Sequence, residues 1–118
     1  MSTFRASVSA GEAGPVITLS GEADLSTIAE LSDLVTAQLA GGAVHLTVDV
    51  SGMSFADSAS TRVLMLAART LRKRGGGLVL LRPPPALARL LDILDADQVL
   101  TIQSQAEPMP EPNGDPEG

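Results

Sequence analysis

Segments patterned as strands and segments patterned as helices alternate along this chain, and their order restricts the folds open to it. Five segments show the two-residue alternation or the short apolar run typical of strands: 4–9, 16–19, 44–50, 78–81 and 99–102. Three segments show helical periodicity: about 24–40, 57–74 and 85–94. The first two strands can form a hairpin, and each later strand follows a helix, so it pairs in parallel through a crossover. The sequence therefore predicts one α/β domain at 1–103, with a mixed β-sheet of about five strands and three or more helices.

The ends of these elements are predicted from turn and capping residues. Asp24 or Ser26 is expected to cap the first helix. The run Ser51–Ser54 is expected to end the third strand, and Gly75–Gly77 to end the second helix. Because Leu78–Leu81 is continuously apolar, we expect it to be a strand covered on both faces.

Composition excludes several classes of partner. The formal net charge is −6 and aromatic residues make up only 2%, so the chain lacks both the basic face and the stacking surface of nucleic-acid binders. There are no cysteines, which excludes disulfides and thiolate metal sites. No apolar run approaches the ~20 residues that span a bilayer, and the start of the chain does not resemble a signal peptide. We predict a cytoplasmic protein with neither nucleic acid nor membrane as its partner.

Residues 104–118 differ in composition from the rest of the chain. They contain four of the 8 prolines and four acidic residues, with no basic residue. We predict an acidic, Pro-rich, disordered tail, because such a segment has too little apolar surface to offset the entropy of folding. Without these four charges the rest of the chain carries −2, so the overall acidity does not describe the surface of the domain.

Candidate catalytic and metal-binding groups are sparse. The single histidine, His45, is expected inside a strand, without the aligned partners of a hydrolytic triad. Asp92, Asp95 and Asp97 lack the glycine and terminal glutamate of a calcium loop. Gly75–Gly77 lacks the Lys-Ser/Thr continuation of a phosphate loop and follows a helix rather than a strand. We therefore predict a binding protein rather than an enzyme, with no metal and no cofactor.

The segment 48–64 places polar side chains where a strand ends and a helix begins. Asp57, Ser58 and Ser60 fall at this junction, and ligand sites in open α/β sheets lie at the carboxyl ends of strands. The helix N-terminus has unpaired amides and a partial positive charge, so it can accept an anion such as a phosphorylated serine. An ordinary helix cap at Asp57 or Ser58 explains the same residues. The local pattern leaves both interpretations open.

Three motifs occur in an order that resembles a known family. The run D-V-S-G-M-S-F-A-D-S-A-S-T-R-V-L begins at Asp49, and Gly21-Glu22-Ala23-Asp24 precedes the first helix. Gly76–Leu80 followed by 83–94 supplies a strand and the third helix. Together these segments are similar to STAS domains, specifically bacterial anti-sigma factor antagonists, over about residues 3–103.

The resemblance implies a regulator that binds an anti-sigma factor, usually a serine-protein kinase, and so releases a sigma factor. In that family the kinase phosphorylates the residue two positions after the aspartate of the junction, which here is Ala59. Three alternatives follow. The protein is a constitutive antagonist, Ser58 or Ser60 accepts the phosphate instead, or the chain is a divergent STAS-like adaptor or ligand-sensing domain within a signalling assembly.

The resemblance assigns partner-binding and regulatory roles to residues of the junction and of the loop before the first helix: Asp24, Asp57, Ser58, Ala59, Ser60 and Arg62. Four nearby apolar residues fit either the core or a partner surface, and general burial preferences favour the core: Met53, Phe55, Val63 and Met65. The cations of the run 69–74 are expected to form a solvated helix end. The sequence makes no prediction of oligomeric state.

Overall fold

A computed structural model describes residues 4–22, 27–55 and 58–103 of the chain. Five strands are present in these ranges: β1 (Arg5–Ala10), β2 (Pro15–Glu22), β3 (His45–Phe55), β4 (Gly77–Leu81) and β5 (Thr101–Gln103). The α-helices are α1 (Ile28–Ala40), α2 (Ser58–Lys73) and α3 (Pro85–Ile93), and a short 3-10 helix occupies Ala96–Gln98. The order of elements is therefore the one that the hydrophobic patterns predict.

The five strands form one mixed sheet in the spatial order β1-β2-β3-β4-β5. β1 and β2 are an antiparallel hairpin, and β2, β3, β4 and β5 pair in parallel. Each parallel connection moves one strand in the same direction across the sheet, so right-handed crossovers place the three helices on one face. The predicted α/β fold with a mixed sheet is confirmed.

The core lies between that face of the sheet and the helices. Its sheet side consists of alternate residues from the three central strands: Ile17, Leu19, Leu46, Val48, Val50, Leu78 and Leu80. Its helix side includes Leu31, Val35, Leu64, Leu71, Leu87 and Leu91. Val79 and Leu81 point to the other face of the sheet and are only half-buried. The expectation that β4 is covered on both faces is therefore wrong, because the helices cover a single face.

β3 is longer than its sequence suggests. The residues expected to end it, Ser51–Ser54, continue the strand to Phe55. Its pairing with β2 is irregular at two places. Thr18 and Ser20 lie opposite Asp49 and Gly52, and Gly21 and Glu22 lie opposite Met53 and Phe55, so one extra β3 residue is inserted at each place. A Cβ at Gly52 would lie 2.9 Å from the Cβ of Ser20, which explains a glycine there. In the sequence, a bulge resembles the end of a strand because the extra residue shifts the two-residue alternation by one position.

Other element boundaries also differ from the predictions. The N-cap of α1 is Thr27, without a side-chain hydrogen bond, whereas Asp24 and Ser26 lie outside the described residues. The final strand begins at Thr101 because a 3-10 helix occupies the preceding turn, so Val99 lies before it. Val8, one of the apolar residues of the alternating segment 4–9, is exposed near the end of the edge strand.

The sequence suggested that the basic end of α2 is solvated. Two of its arginines instead make hydrogen bonds to other segments of the chain. The Arg72 guanidinium donates a hydrogen bond from Nη1 to the carbonyl oxygen of Gln98, at 2.7 Å. Nη1 of Arg74 donates to the carbonyl oxygens of Leu39 and Ala43, both at 2.9 Å. These two arginines therefore connect the end of α2 to the turn after α1 and to the segment before β5.

Candidate functional site

The candidate site lies at the edge of the sheet where the parallel strands end. β2 and β3 finish side by side, with Glu22 opposite Phe55, and α2 begins at Ser58. Because the bulged end of β3 extends the strand to Phe55, only residues 56 and 57 separate strand from helix. The strand-to-helix junction predicted from sequence is therefore present, and Ser58 is the first residue of the helix.

The first turn of α2 exposes one hydroxyl-bearing residue and buries two. Ser58 is exposed and Ala59 is half-buried, whereas the side chain of Ser60 is only 3% exposed and Thr61 is also buried. Arg62, one turn after Ser58, is exposed. Successive helical residues are rotated by about 100°, so Ser58 and Arg62 share the outer side while Ser60 faces inward. The burial of Ser60 argues against it as an acceptor in the folded domain.

The start of α2 offers a favourable environment for negative charge. The first helical amides have no intrahelical acceptor, and the aligned peptide dipoles leave partial positive charge at this end. The first turn contains no acidic residue, and Arg62 adds a cation one turn further along. A phosphate on a side chain at this position would therefore be stabilised by the helix rather than repelled by it.

Several predicted site residues lie outside what the structure describes. Asp24 and Asp57 fall in the undescribed segments 23–26 and 56–57, and nothing is described of the side chain of Phe55. Met53 is buried, which confirms the core interpretation for that residue. Val63 and Met65 are half-buried and pack against the core. The described junction therefore presents Ser58 and Arg62 at its surface.

An ion pair near the same edge of the sheet was not anticipated from the sequence. Nη2 of Arg82, the residue after β4, lies 2.5 Å from Oδ2 of Asp49 on β3. Oδ1 of Asp49 accepts a hydrogen bond of 3.0 Å from the amide of Ser51. The Arg82 amide donates to the carbonyl oxygen of Gln103, at 2.6 Å. Arg82 thereby connects the middle of β3 to the ends of β4 and β5.

The surroundings of Asp49 favour its charged form. Partial burial acts to raise its pKa, but the hydrogen bonds from Ser51 and then the Arg82 guanidinium outweigh burial and hold the pKa below its ordinary value. Arg82 adopts a left-handed backbone conformation, with φ of 53°. The sequence signal for this pair is an acid on a central strand and an arginine just after the neighbouring strand, which alternation alone does not identify.

No catalytic arrangement is present in the part of the chain that the structure describes. His45 is the exposed first residue of β3, so the length of that strand, about 33 Å, separates it from the junction. No group of three or more His, Cys, Asp or Glu side chains that could hold a metal occurs in the described ranges. Among the described helices, none has the length and apolarity needed to cross a bilayer.

Comparison with known proteins identifies the domain over nearly all of the described chain. A family model described as "Mlab, STAS domain" matches residues 6–102. No curated protein sequence matches the chain. The family match covers every described strand and helix apart from the ends of β1 and β5.

Three solved structures resemble this one. An anti-sigma factor antagonist from Mycobacterium paratuberculosis matches with a TM-score of 0.77 at 22% identity, over 88% of each chain. The anti-sigma factor antagonist SpoIIAA in its unphosphorylated form matches with a TM-score of 0.73 at 18% identity, over 86% of this chain and 90% of that one. Phosphorylated SpoIIAA from Bacillus matches with a TM-score of 0.67 at 19% identity, over 87% of this chain and 93% of that one. At these identities the similarity establishes a shared fold.

Proposed function

The chain belongs to the STAS domain family, and on that premise we propose that it is an anti-sigma factor antagonist. In this role it binds an anti-sigma factor, of the serine-protein kinase type, and the bound sigma factor is released. The surface that makes the contact is the start of α2, with Ser58 and Arg62 at its centre. Asp24 and Asp57, which lie outside the described residues, stay in the proposal as acidic members of the regulatory set.

The observation that carries the proposal is the exposed start of α2 at the carboxyl edge of the sheet. Ser58 and Arg62 are both exposed there, and the adjoining Ser60 and Thr61 are buried, so the exposed pair has a rigid support. SpoIIAA, which shares the fold, was solved both unphosphorylated and phosphorylated. These facts support a surface on which one phosphate changes affinity, because a phosphate adds about −1.5 to −2 charges and bulk.

The residue at the phosphoacceptor position changes how the switch operates. Ala59 has no hydroxyl, so a kinase that targets this position cannot modify it. The exposed Ser58 is the alternative acceptor, since Ser60 is buried. We propose that the chain is either a constitutive antagonist or one whose switch has moved to Ser58, and the two forms of the proposal differ in one measurable step.

Incubation with ATP and each anti-sigma factor kinase of the source organism tests this proposal. Isothermal titration calorimetry measures binding, and mass spectrometry locates phosphate in the wild type and in Ser58→Ala. We expect binding of at least one kinase. Phosphate on Ser58 establishes the shifted switch, and binding without modification establishes the constitutive form. If no kinase and no other anti-sigma factor binds at micromolar concentration, the proposed function is wrong.

Introducing a hydroxyl at position 59 is a second and more specific test of the proposed function. Ala59→Ser is expected to gain phosphorylation at the new serine and to release the partner when phosphorylated, because the helix N-terminus accepts the phosphate and the bound surface does not. Ala86→Ser is the matched control, since Ala86 is likewise the second residue of a helix, α3. Equal phosphorylation of both variants would show that the kinase recognises any exposed helix start rather than this junction.

A further inference from the structure

Five exposed side chains of α2 form one continuous row, here called the α2 stripe: Ser58, Arg62, Leu66, Arg69 and Lys73. With about 100° of rotation per residue, these positions fall within an arc of about 80°. At 1.5 Å per residue the row is about 22 Å long. The α2 stripe therefore begins at the proposed partner site and continues along the whole helix.

Leu66 is the apolar centre of the α2 stripe. Its side chain is 65% exposed, whereas Leu64 and Leu71 of the same helix are buried. Leu66 lies at a groove of about 190 Å³ between the two helices, which α1 lines with Val35 and Leu39 among other residues. One exposed leucine is common on protein surfaces, but this leucine continues into an apolar groove and so enlarges the apolar area available to a partner.

The cations of the α2 stripe have no partners within the described part of the chain. The one ion pair there joins Arg82 to Asp49, and Arg72 and Arg74 donate to backbone carbonyls. The side chains of Arg62 and Arg69 make no ion pair or hydrogen bond among the described residues. The α1 side of the groove contributes Ser32 and Thr36 rather than carboxylates. Two arginines thus flank Leu66 by one turn on each side.

We propose that the α2 stripe docks an acidic protein surface that has an apolar pocket for Leu66. This inference rests on the proposed function and adds the chemistry of the partner to it. Arg62 and Arg69 meet carboxylates at the rim of the pocket, and burial of Leu66 removes apolar surface from water. A membrane surface fits less well, because Leu66 is the only large apolar residue on the α2 stripe.

Binding measurements on charge and size variants test the assignment. Leu66→Ala is expected to weaken binding of the anti-sigma factor kinase about tenfold, as truncation of a central anchor does. Arg62→Glu and Arg69→Glu are expected to weaken it by a similar factor at about 50 mM NaCl and less at about 300 mM, because salt screens rim charges. Ile93→Ala and Arg89→Glu on α3 are matched controls, since Ile93 is 69% exposed and Arg89 is exposed, and both should change affinity less than about twofold.

The outcomes separate this inference from the proposed function. If the wild type binds a kinase and the three α2 stripe variants bind as tightly, the docking assignment is overturned and the proposed function stands. If the wild type binds no anti-sigma factor, the docking assignment and the proposed function are both wrong. The wild type could also bind phosphatidylserine vesicles as tightly as it binds the kinase, in a way that Leu66→Ala abolishes. That result would likewise overturn the assignment of a protein partner to the α2 stripe. Far-UV circular dichroism of each variant confirms that Leu66→Ala leaves the fold intact, as the exposure of that residue leads us to expect.

Discussion

The ion pair between Asp49 and Arg82 offers the most direct test of how the middle of β3 is held to the end of β4. The perturbation is Asp49→Ala and Arg82→Ala, made singly and together, so that the double-mutant cycle isolates the coupling between the two side chains. The residues are 33 positions apart in sequence, so a coupling between them reports on the folded sheet rather than on local structure.

The expected coupling follows from the geometry and exposure of the pair. Hydrogen bonds to charged groups contribute about 1.5–3 kcal/mol when they are protected from water, and exposed ion pairs contribute about 0–1 kcal/mol. The Asp49 side chain is 15% exposed, but that of Arg82 is 38% exposed, so solvent screens the pair in part. We therefore expect a coupling of about 1 kcal/mol near pH 7.

The pH dependence of the coupling gives a second readout. The pKa of Asp49 is lower in the folded protein than its ordinary value of 3.8. A carboxyl with a lowered pKa stabilises the fold fully above the unfolded-state value, and that contribution is lost as pH falls through the folded-state pKa. The coupling should thus be fully present above the ordinary pKa of 3.8 and should decline as the pH falls through the lower pKa of folded Asp49.

Urea denaturation followed by far-UV circular dichroism measures these energies, because the chain has no Trp or Tyr for fluorescence. A coupling below about 0.3 kcal/mol near pH 7 would refute the stabilising role assigned to the pair. A coupling of full size that does not change between about pH 7 and an acidic pH at which folded Asp49 is protonated would refute its electrostatic origin, because protonated Asp49 cannot form an ion pair.

Three further substitutions test the packing and the backbone. Leu71→Ala should lower the free energy of unfolding by about 2–5 kcal/mol, because Leu71 is buried in the core, whereas Leu66→Ala should change it by less than about 0.5 kcal/mol; urea titration compares the two. Arg74→Ala should cost about 1 kcal/mol through loss of its two bonds to backbone carbonyls, and Arg69→Ala should be neutral in the same assay. Arg82→Gly should be more stable than Arg82→Ala by about 0.5–1 kcal/mol, since glycine adopts the left-handed conformation without strain, and equal stability would contradict that.

Much of the fold was accessible from the sequence because its signals are local. Alternation and helical periodicity act over four to fifteen residues, and they place all five strands and all three α-helices of the described ranges. The predictions that failed, for the end of β3 and for the two faces of β4, share one cause: they depend on how segments pack together. Each of the two extra residues in β3 shifts the alternation by one position, so a continuing strand resembles one that has ended. Val79 and Leu81 are apolar like their buried neighbours, and only the arrangement of the helices decides which face is covered.

At the candidate site, too, some features are identified by the sequence and others are decided only by the structure. The sequence locates a serine-rich helix start after a strand, and it identifies the alanine at position 59. It cannot rank Ser58 against Ser60, since both are small polar residues in one helical turn. The ranking depends on which side of α2 faces the sheet, and Ser58 is exposed whereas Ser60 is buried.

The sequence by itself determined the order of the elements, the position of the junction and the alanine at position 59, because these depend on local patterns or on residue identity alone. Only the tertiary structure decided that Arg82 reaches Asp49, that Leu66 is exposed between two unpaired arginines of the described chain, and that one hydroxyl of the junction is accessible. These features depend on how distant segments pack, and the packing of α2 on one face of the sheet determines which of its side chains are left for a partner.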